Sequence, residues 1–237
     1  MGGDFKFKQF IVSQNNSLLK VGTDSMLLGS IVESKHSKTG LDLGAGNGVL
    51  SLMVAQKNPK IKIQAIELHQ ASFEECLYNF QRSKWSNRLD AIPADYFKHT
   101  FDQKYDFIFS NPPFYLETSG EIQLENQQSK HTTKEEFFEL FVLVKELLVL
   151  EGVFWIVLPF SLYELVTKYI AGLELYINEM YRIDAKLSKP NSRVILAMSK
   201  TNRPTKQKSL VIRNEDNSYT ESYINLTKEF HYNQLKK

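Results

Sequence analysis

Two short stretches of this chain carry residues whose types and spacing could do chemistry. The first is Asn111-Pro112-Pro113-Phe114, directly after the run Tyr105-Asp106-Phe107-Ile108-Phe109-Ser110. Aromatic and β-branched residues favour a buried strand, and two prolines cannot continue a helix or a central strand. The chain must therefore leave a sheet at Asn111, placing a carboxamide, a carbonyl and a flat ring at the carboxyl end of a strand. Open α/β sheets bind ligands at that edge. An amine conjugated to a ring is a poor nucleophile because its lone pair is delocalised. The Asn111 side-chain oxygen and the Pro112 carbonyl could accept its two N–H groups, hold the nitrogen and favour its pyramidal, attacking form. Phe114 could stack on the ring, a contact worth about 1–3 kcal/mol. No strong base is needed, so positioning and electrostatics carry the work. A Pro-Pro turn could also simply end a strand, but that leaves its bracketing by an acceptor and an aromatic unexplained.

The second stretch is Asp42-Leu43-Gly44-Ala45-Gly46-Asn47-Gly48. Its glycines permit positive φ and let a ligand approach bare backbone. The spacing is one residue tighter than the dinucleotide fingerprint, and no Lys-Ser/Thr follows, so a P-loop is excluded. Glu67 ends the next strand-like run, Ile61–Glu67, where a carboxylate can accept from ribose hydroxyls. Asp95 follows a third run, Leu89–Pro93, and could accept from an adenine amino group. Acidic contacts to an adenosine with no phosphate clamp suit S-adenosylmethionine better than NAD or ATP. Asn111 would then present its amine to a methyl group.

The elements that must position these residues alternate regularly. Strands are expected at Thr39–Leu43, Ile61–Glu67, Leu89–Pro93, Tyr105–Ser110 and Gly152–Leu158, with helices at Val49–Lys57, Gln70–Arg82, Lys134–Leu150 and Ser161–Ala171. That alternation predicts a mainly parallel α/β sheet with helices on both faces. Leu173–Ile183 and Arg193–Ser199, with no full helix between them, predict an antiparallel hairpin at one edge. A last strand is possible at Ser209–Arg213, and a terminal helix over 219–230 capped by Thr220. At the other end, residues 5–12 alternate aromatic with basic and predict one strand. Thr23 or Asp24 is placed to cap a short apolar helix. Residues 116–133 are polar and aperiodic, and predict a loop closing over the site.

The 237 residues are enough for one large α/β domain, and no apolar run is long enough to span a bilayer. The opening Met1–Lys6 has no hydrophobic core segment, and the single Cys76 permits no internal disulfide, so a cytoplasmic protein is expected. Cys76 itself reads as a small core residue. Between Arg182 and Arg213 nine basic residues face one acid, Asp184, whereas the rest of the chain is net −6. A basic stretch on an acidic protein is the footprint of a polyanion, although a solvated hairpin has the same composition.

Through Asp42–Gly48, Glu67, Asp95 and Asn111–Phe114 the chain resembles class I S-adenosylmethionine-dependent methyltransferases. The tetrad Asn111–Phe114 is similar to that of enzymes methylating adenine N6, guanine N2 or glutamine N5. A closer resemblance is to bacterial tRNA adenine-N6 methyltransferases acting on a valine tRNA at the adenine 3′ of the anticodon. It is carried by Phe5-Lys6-Phe7-Lys8-Gln9-Phe10, by Lys20-Val21-Gly22-Thr23-Asp24, and by Tyr219-Thr220, Tyr223-Ile224, Leu226-Thr227-Lys228 and Phe230. The resemblance implies a Rossmann-like seven-stranded sheet. It implies one domain over 1–237: a strand and helix in 1–35 covering the cofactor pocket, a catalytic core in 36–200 and an extension in 201–237. It implies S-adenosylmethionine as cofactor, S-adenosylhomocysteine as product, and no metal. Expected cofactor contacts are Thr23, Asp42, Gly44, Ala45, Gly46, Gly48, Glu67, Leu68, Asp95, Tyr96 and Asn111, and the catalytic set is Asn111, Pro112, Pro113 and Phe114. Expected tRNA contacts are Lys186, Lys189, Arg193, Lys200, Arg203, Lys206 and Lys208, on a monomer. The tetrad ends in Phe114 where many relatives have Tyr, and Lys130-His131 stands where the family has Arg-His. Other amine acceptors, and a non-catalytic RNA-binding scaffold, stay open at this point.

Overall fold

The computed structural model describes residues 3–34, 36–112, 115–116, 122–123 and 134–232. The elements run in chain order: β1 (Phe5–Lys6), β2 (Ile11–Val12), α1 (Thr23–Ile31), β3 (Thr39–Leu43), α2 (Val49–Lys57), β4 (Lys62–Glu67), α3 (Gln70–Gln81), β5 (Leu89–Pro93) and β6 (Tyr105–Ser110). There follow β7 (Tyr115–Leu116), β8 (Ile122–Gln123), α4 (Lys134–Leu147), β9 (Leu148–Pro159), α5 (Tyr163–Ala171), β10 (Tyr176–Asp184), β11 (Arg193–Ser199), β12 (Lys206–Val211) and α6 (Glu221–Thr227). The central sheet runs β12-β10-β11-β9-β6-β3-β4-β5. Apolar runs such as Phe154–Leu158 sit in its middle and are buried on both faces, as a covered sheet requires. One hydrophobic cluster packs α1, α2, α3 and α6 on one face, and a second packs α4 and α5 on the other.

The expected seven strands thus carry an eighth, β12, which pairs in parallel outside β10. Among the described strands of the central sheet, only β11 runs against its neighbours. The reversal sends the start of β11 to the carboxyl edge of the parallel strands, with Arg193 opposite Pro159.

Several expectations are corrected. The segment 5–12 is a hairpin, with Phe7 N–H bonded to the Phe10 carbonyl at 2.9 Å and the two rings stacked 4.3 Å apart. Its aromatics bury better against each other, Trp85 and Phe230 than along one straight strand. Helix α1 is capped by Gly22, whereas Thr23 and Asp24 lie inside its first turn and neither side chain caps it. Helix α4 stops at Leu147, where Leu148 already pairs with Tyr105. There β9 is bulged against β6, and Gly152 fits because an added Cβ would lie 2.9 Å from the Leu148 side chain and 3.0 Å from the Tyr105 carbonyl. Thr220 does cap α6, its hydroxyl accepting the Tyr223 N–H at 3.2 Å.

The N-terminal segment is fastened to the sheet by polar contacts. Glu75, buried on α3, accepts the backbone N–H groups of Asn15 (2.6 Å) and Ser17 (2.9 Å) and both hydroxyls of Ser13 and Ser17. These bonds hold its carboxyl below the usual range although burial pushes the other way. Asn79 bridges the carbonyls of Ser13 and Asn47, both at 2.9 Å, and so ties the segment to the glycine turn.

Candidate active site

The glycine turn connects β3 to α2. Gly44, Gly46 and Gly48 have φ of 75°, 57° and 79°, the left-handed region that side chains resist. The reasons for glycine differ along the turn. At Gly48 an added Cβ would lie 2.6 Å from Phe80 and 2.8 Å from Cys76, so α3 packs directly on the backbone. At Gly44 and Gly46 an added Cβ would meet nothing within 4 Å, so these two border open space.

Glu67 ends β4 beside this turn. One carboxylate oxygen accepts the Gly46 N–H at 2.7 Å and the other the His69 N–H at 2.8 Å. Each oxygen keeps a second lone pair for a ligand hydroxyl. Asp42 is fully buried. Ser51 donates to its Oδ2 at 2.7 Å, and its Oδ1 has no partner among the described residues. Burial pushes its carboxyl up to about 7; the Ser51 bond offsets part of that, and the Glu67 charge adds to it. Farther along the same edge lie Leu68, whose 62% exposure is unusual for a strand-end leucine, and the turn after β5. There Asp95 accepts the Phe97 N–H at 3.0 Å and meets Lys98 at 3.2 Å, and burial raises the Tyr96 phenol.

These residues fit S-adenosylmethionine. The open faces of Gly44 and Gly46 leave backbone bare to a ligand. The unpaired Asp42 Oδ1 is an acceptor buried beside a turn where a cation would restore its charge. Glu67 offers the ribose-type contact, and Leu68 and Tyr96, on neighbouring strand ends, offer apolar surface for a flat base. Asp95, also expected there, is already engaged, one carboxylate oxygen capping its own turn and the other meeting Lys98. Among the described residues no cluster of His, Cys, Asp and Glu could hold a metal ion.

The acceptor half lies one strand away. Asp42 pairs with Phe109, so Gly44 and Asn111 emerge side by side from β3 and β6. The Asn111 amide nitrogen donates to the Ser25 hydroxyl on α1 at 3.1 Å. Its Oδ1 has no donor among the described residues, which leaves an acceptor for an incoming amine. Ser25 was not foreseen. Its only sequence signal is a hydroxyl directly after Lys20–Asp24, at the start of the buried stretch Ser25–Ile31. A cavity of 410 Å³ opens here, lined by Leu19, Lys20, Gly22–Ser25, Asn111, Pro112, Val157–Pro159 and Arg193. Thr23 lines this cavity. Pro113, Phe114, Lys130 and His131, with most of the expected covering loop, lie outside the described residues. Within that loop Tyr115–Leu116 pairs with Ile122–Gln123.

The basic stretch divides. Lys186, Lys189 and Arg193 lie at the carboxyl edge, with Lys186 donating to the Glu215 carbonyl at 3.0 Å and Arg193 paired with Asp24 at 2.9 Å. Lys200 and Arg203 lie at the opposite edge, bonded to the Leu148 carbonyl at 2.6 Å and paired with Glu151 at 3.0 Å. Lys206 and Lys208 lie on the outer strand, Lys208 with its ammonium 4.7 Å from the Tyr181 ring centroid.

Residues 16–163 match the methyltransferase small domain family. A tRNA1(Val) (adenine(37)-N6)-methyltransferase of Actinobacillus pleuropneumoniae is 32% identical over 230 residues, 97% of each chain. One from Haemophilus influenzae is 35% identical over 230 residues, 96% of this chain and 97% of the relative. One from Flavobacterium psychrophilum is 33% identical, over 96% of this chain and 98% of the relative. Among solved structures, a "predicted O-methyltransferase", protein Atu636 of Agrobacterium tumefaciens, superposes with a TM-score of 0.68 at 17% identity, over 87% of this chain and 96% of that one. The ribosomal protein L11 methylase of Lactobacillus delbrueckii subsp. bulgaricus gives 0.55 at 15% identity, over 75% and 77%. At these identities the structural likeness speaks to fold.

Proposed function

The chain belongs to the methyltransferase small domain family and to the tRNA1(Val) (adenine(37)-N6)-methyltransferases, and from that premise we propose that it methylates the exocyclic N6 of the adenine 3′ of the anticodon in a valine tRNA. The observation that carries this reading is the Asn111 amide, which lines a cavity at the end of the strand beside the glycine turn, with its nitrogen on Ser25 and its Oδ1 without a donor among the described residues.

When bound, S-adenosylmethionine supplies an electrophilic methyl group on a sulfonium sulfur and leaves as S-adenosylhomocysteine. Glu67 would hold its ribose, the bare turn at Gly44–Gly46 its amino-acid portion, and Asp42 would gain charge beside it. Leu68, Asp95 and Tyr96 would enclose the base.

The adenine N6 would donate its two hydrogens to Asn111 Oδ1 and the Pro112 carbonyl. Drawing the hydrogens to one side localises the lone pair on nitrogen and points it away from both acceptors. With its nitrogen bonded to Ser25, the amide presents its oxygen to the substrate, where a second donor would be repelled. Phe114 would stack on the ring. After attack the nitrogen is positively charged and strongly acidic, so a water molecule suffices to take its proton. A buried general base at this position is unnecessary. The target base must leave its stack to reach the cavity. Lys186, Lys189 and Arg193 would hold the phosphates around it, and Lys206 and Lys208 would track the strand farther out. We take 1–237 as one methyltransferase domain acting as a monomer in the cytoplasm. Among the described residues no helix is long and apolar enough to cross a membrane.

The test is incubation of the protein with methyl-labelled S-adenosylmethionine and a valine tRNA transcript, followed by nucleoside mass spectrometry. N6-methyladenosine at that adenine is the expected product. N2-methylguanosine, or label entering protein and not RNA, would replace this reading with the corresponding alternative.

A further inference from the structure

One charged contact in the cavity wall has no part in holding the amine. Asp24, in the first turn of α1, and Arg193, at the start of β11, both line the cavity beside Asn111. They meet through a single contact, Arg193 Nε to Asp24 Oδ2 at 2.9 Å. We propose that Arg193 clamps a phosphate flanking the methylated base, and that Asp24 is a resting partner exchanged for that phosphate when RNA docks. The inference rests on the tRNA reading above and deepens it.

Position is the first argument. Among the described residues the cavity wall holds two cations, Lys20 and Arg193, and the Lys20 ammonium is turned away onto the Gln14 carbonyl. A base drawn into the cavity leaves its own phosphates at the rim, where Arg193, itself in the wall, is the cation nearest to hand.

Geometry is the second. A guanidinium presents five N–H groups in a planar fork that matches a phosphate two bonds at a time. Asp24 takes one of these, and Nη1 gives one to the Ser192 carbonyl at 2.8 Å. Nη2 has no acceptor among the described residues. The fork is therefore held, but not filled.

Cost is the third. The two side chains are 41% and 34% exposed, so solvent screens the pair and little is lost on parting it. A doubly bonded phosphate is the stronger partner. A neutral glutamine side chain would offer this clamp no charge, so the arrangement favours a nucleic acid over a protein acceptor.

The pair can be separated by mutation. Steady-state kinetics on a valine tRNA transcript would compare Asp24→Asn, Arg193→Ala and Arg193→Lys, with S-adenosylmethionine affinity measured by calorimetry and folding by thermal melting. Arg193→Ala is expected to raise KM for tRNA about tenfold and to flatten the log–log salt dependence of binding by about 0.7–1. Arg193→Lys should recover part of the loss. Asp24→Asn should leave KM no higher than wild type, and lower it by as much as about fivefold, because the competing partner is gone. If Asp24→Asn raised KM as Arg193→Ala does, with both lowering the melting temperature, the pair would be a strut between α1 and β11 and the exchange would be wrong. An Arg193→Ala protein with unaltered KM and salt slope would also overturn it. Failure of the wild type to make N6-methyladenosine would instead overturn the parent reading.

Discussion

The cofactor half and the acceptor half of this site are built on different principles. The cofactor half is local and backbone-made. Gly44 and Ala45 N–H groups bond to the Ile66 carbonyl, and Gly46 N–H to Glu67, so two adjacent strand ends lock each other. It is organised before any ligand arrives. The acceptor half is assembled from α1, β6, β9 and β11 through side chains, and two single contacts hold its polar groups, Ser25 to Asn111 and Asp24 to Arg193. The first half has one small ligand of fixed shape to bind, and rigidity lowers the cost of binding it. The second must admit a base pulled from a folded RNA, and contacts that open cheaply suit that task.

This contrast can be broken by uncoupling cofactor affinity from turnover. The largest effect is expected from Asn111→Ala, which should lower kcat at least about 100-fold by releasing the amine, with cofactor affinity kept. A parallel fall in cofactor affinity by calorimetry would mean the halves are not separable. Glu67→Ala is expected to weaken S-adenosylmethionine binding about 10–100-fold, the loss of charge-assisted hydrogen bonds plus the freed Gly46 and His69 N–H groups. Unchanged affinity would remove Glu67 from the site.

Asp42 sharpens the comparison through pH. Burial pushes its carboxyl up to about 7 from the ordinary 3.8. Between those values the folded chain holds a proton that the unfolded chain has lost, so free-protein stability should fall as pH rises across that window. If the proposed cofactor contact of Asp42 holds, binding needs the ionised form, and affinity should weaken as pH drops below about 7, approaching tenfold per unit. Asp42→Asn should flatten both profiles. Melting and calorimetry from pH 5 to 8 measure them, and a wild-type profile as flat as the variant's would exclude this role. The smallest effect is expected from Ser25→Ala, about a three- to tenfold fall in kcat with cofactor affinity kept, as for one neutral hydrogen bond. Rescue by Ser25→Thr would separate a lost hydroxyl from a disturbed helix.

Strand, turn and helix alternation over 39–110 could be read from the order of residues because its causes are local. Glycine φ, proline's missing donor and apolar runs act within a few positions. For the same reason Asp42, Glu67 and Asn111 could be placed at strand ends. The hairpin in 5–12 was not legible, because alternation cannot tell one strand from two that fold back on stacked rings. Nor was Gly22 as the cap of α1, since Thr23 and Asp24 have equally suitable side chains and only backbone geometry decides. The basic stretch is the clearest case of a one-dimensional signal divided in space. Its nine cations are close in sequence, yet the reversal of β11 carries Arg193 to one edge of the sheet and Lys200 to the other.

What residue order determined was which side chains stand at each strand end. Tertiary structure alone decided which distant groups meet there. Ser25 reaches Asn111 across 86 residues and Asp24 reaches Arg193 across 169. No propensity encodes such pairs, because they depend on where α1 lands, and that is set by burial of its apolar side chains between α2, α6 and β9. A hydroxyl and a carboxylate one residue apart on that helix were thereby brought, one to the Asn111 amide, the other to the Arg193 guanidinium on the same cavity wall.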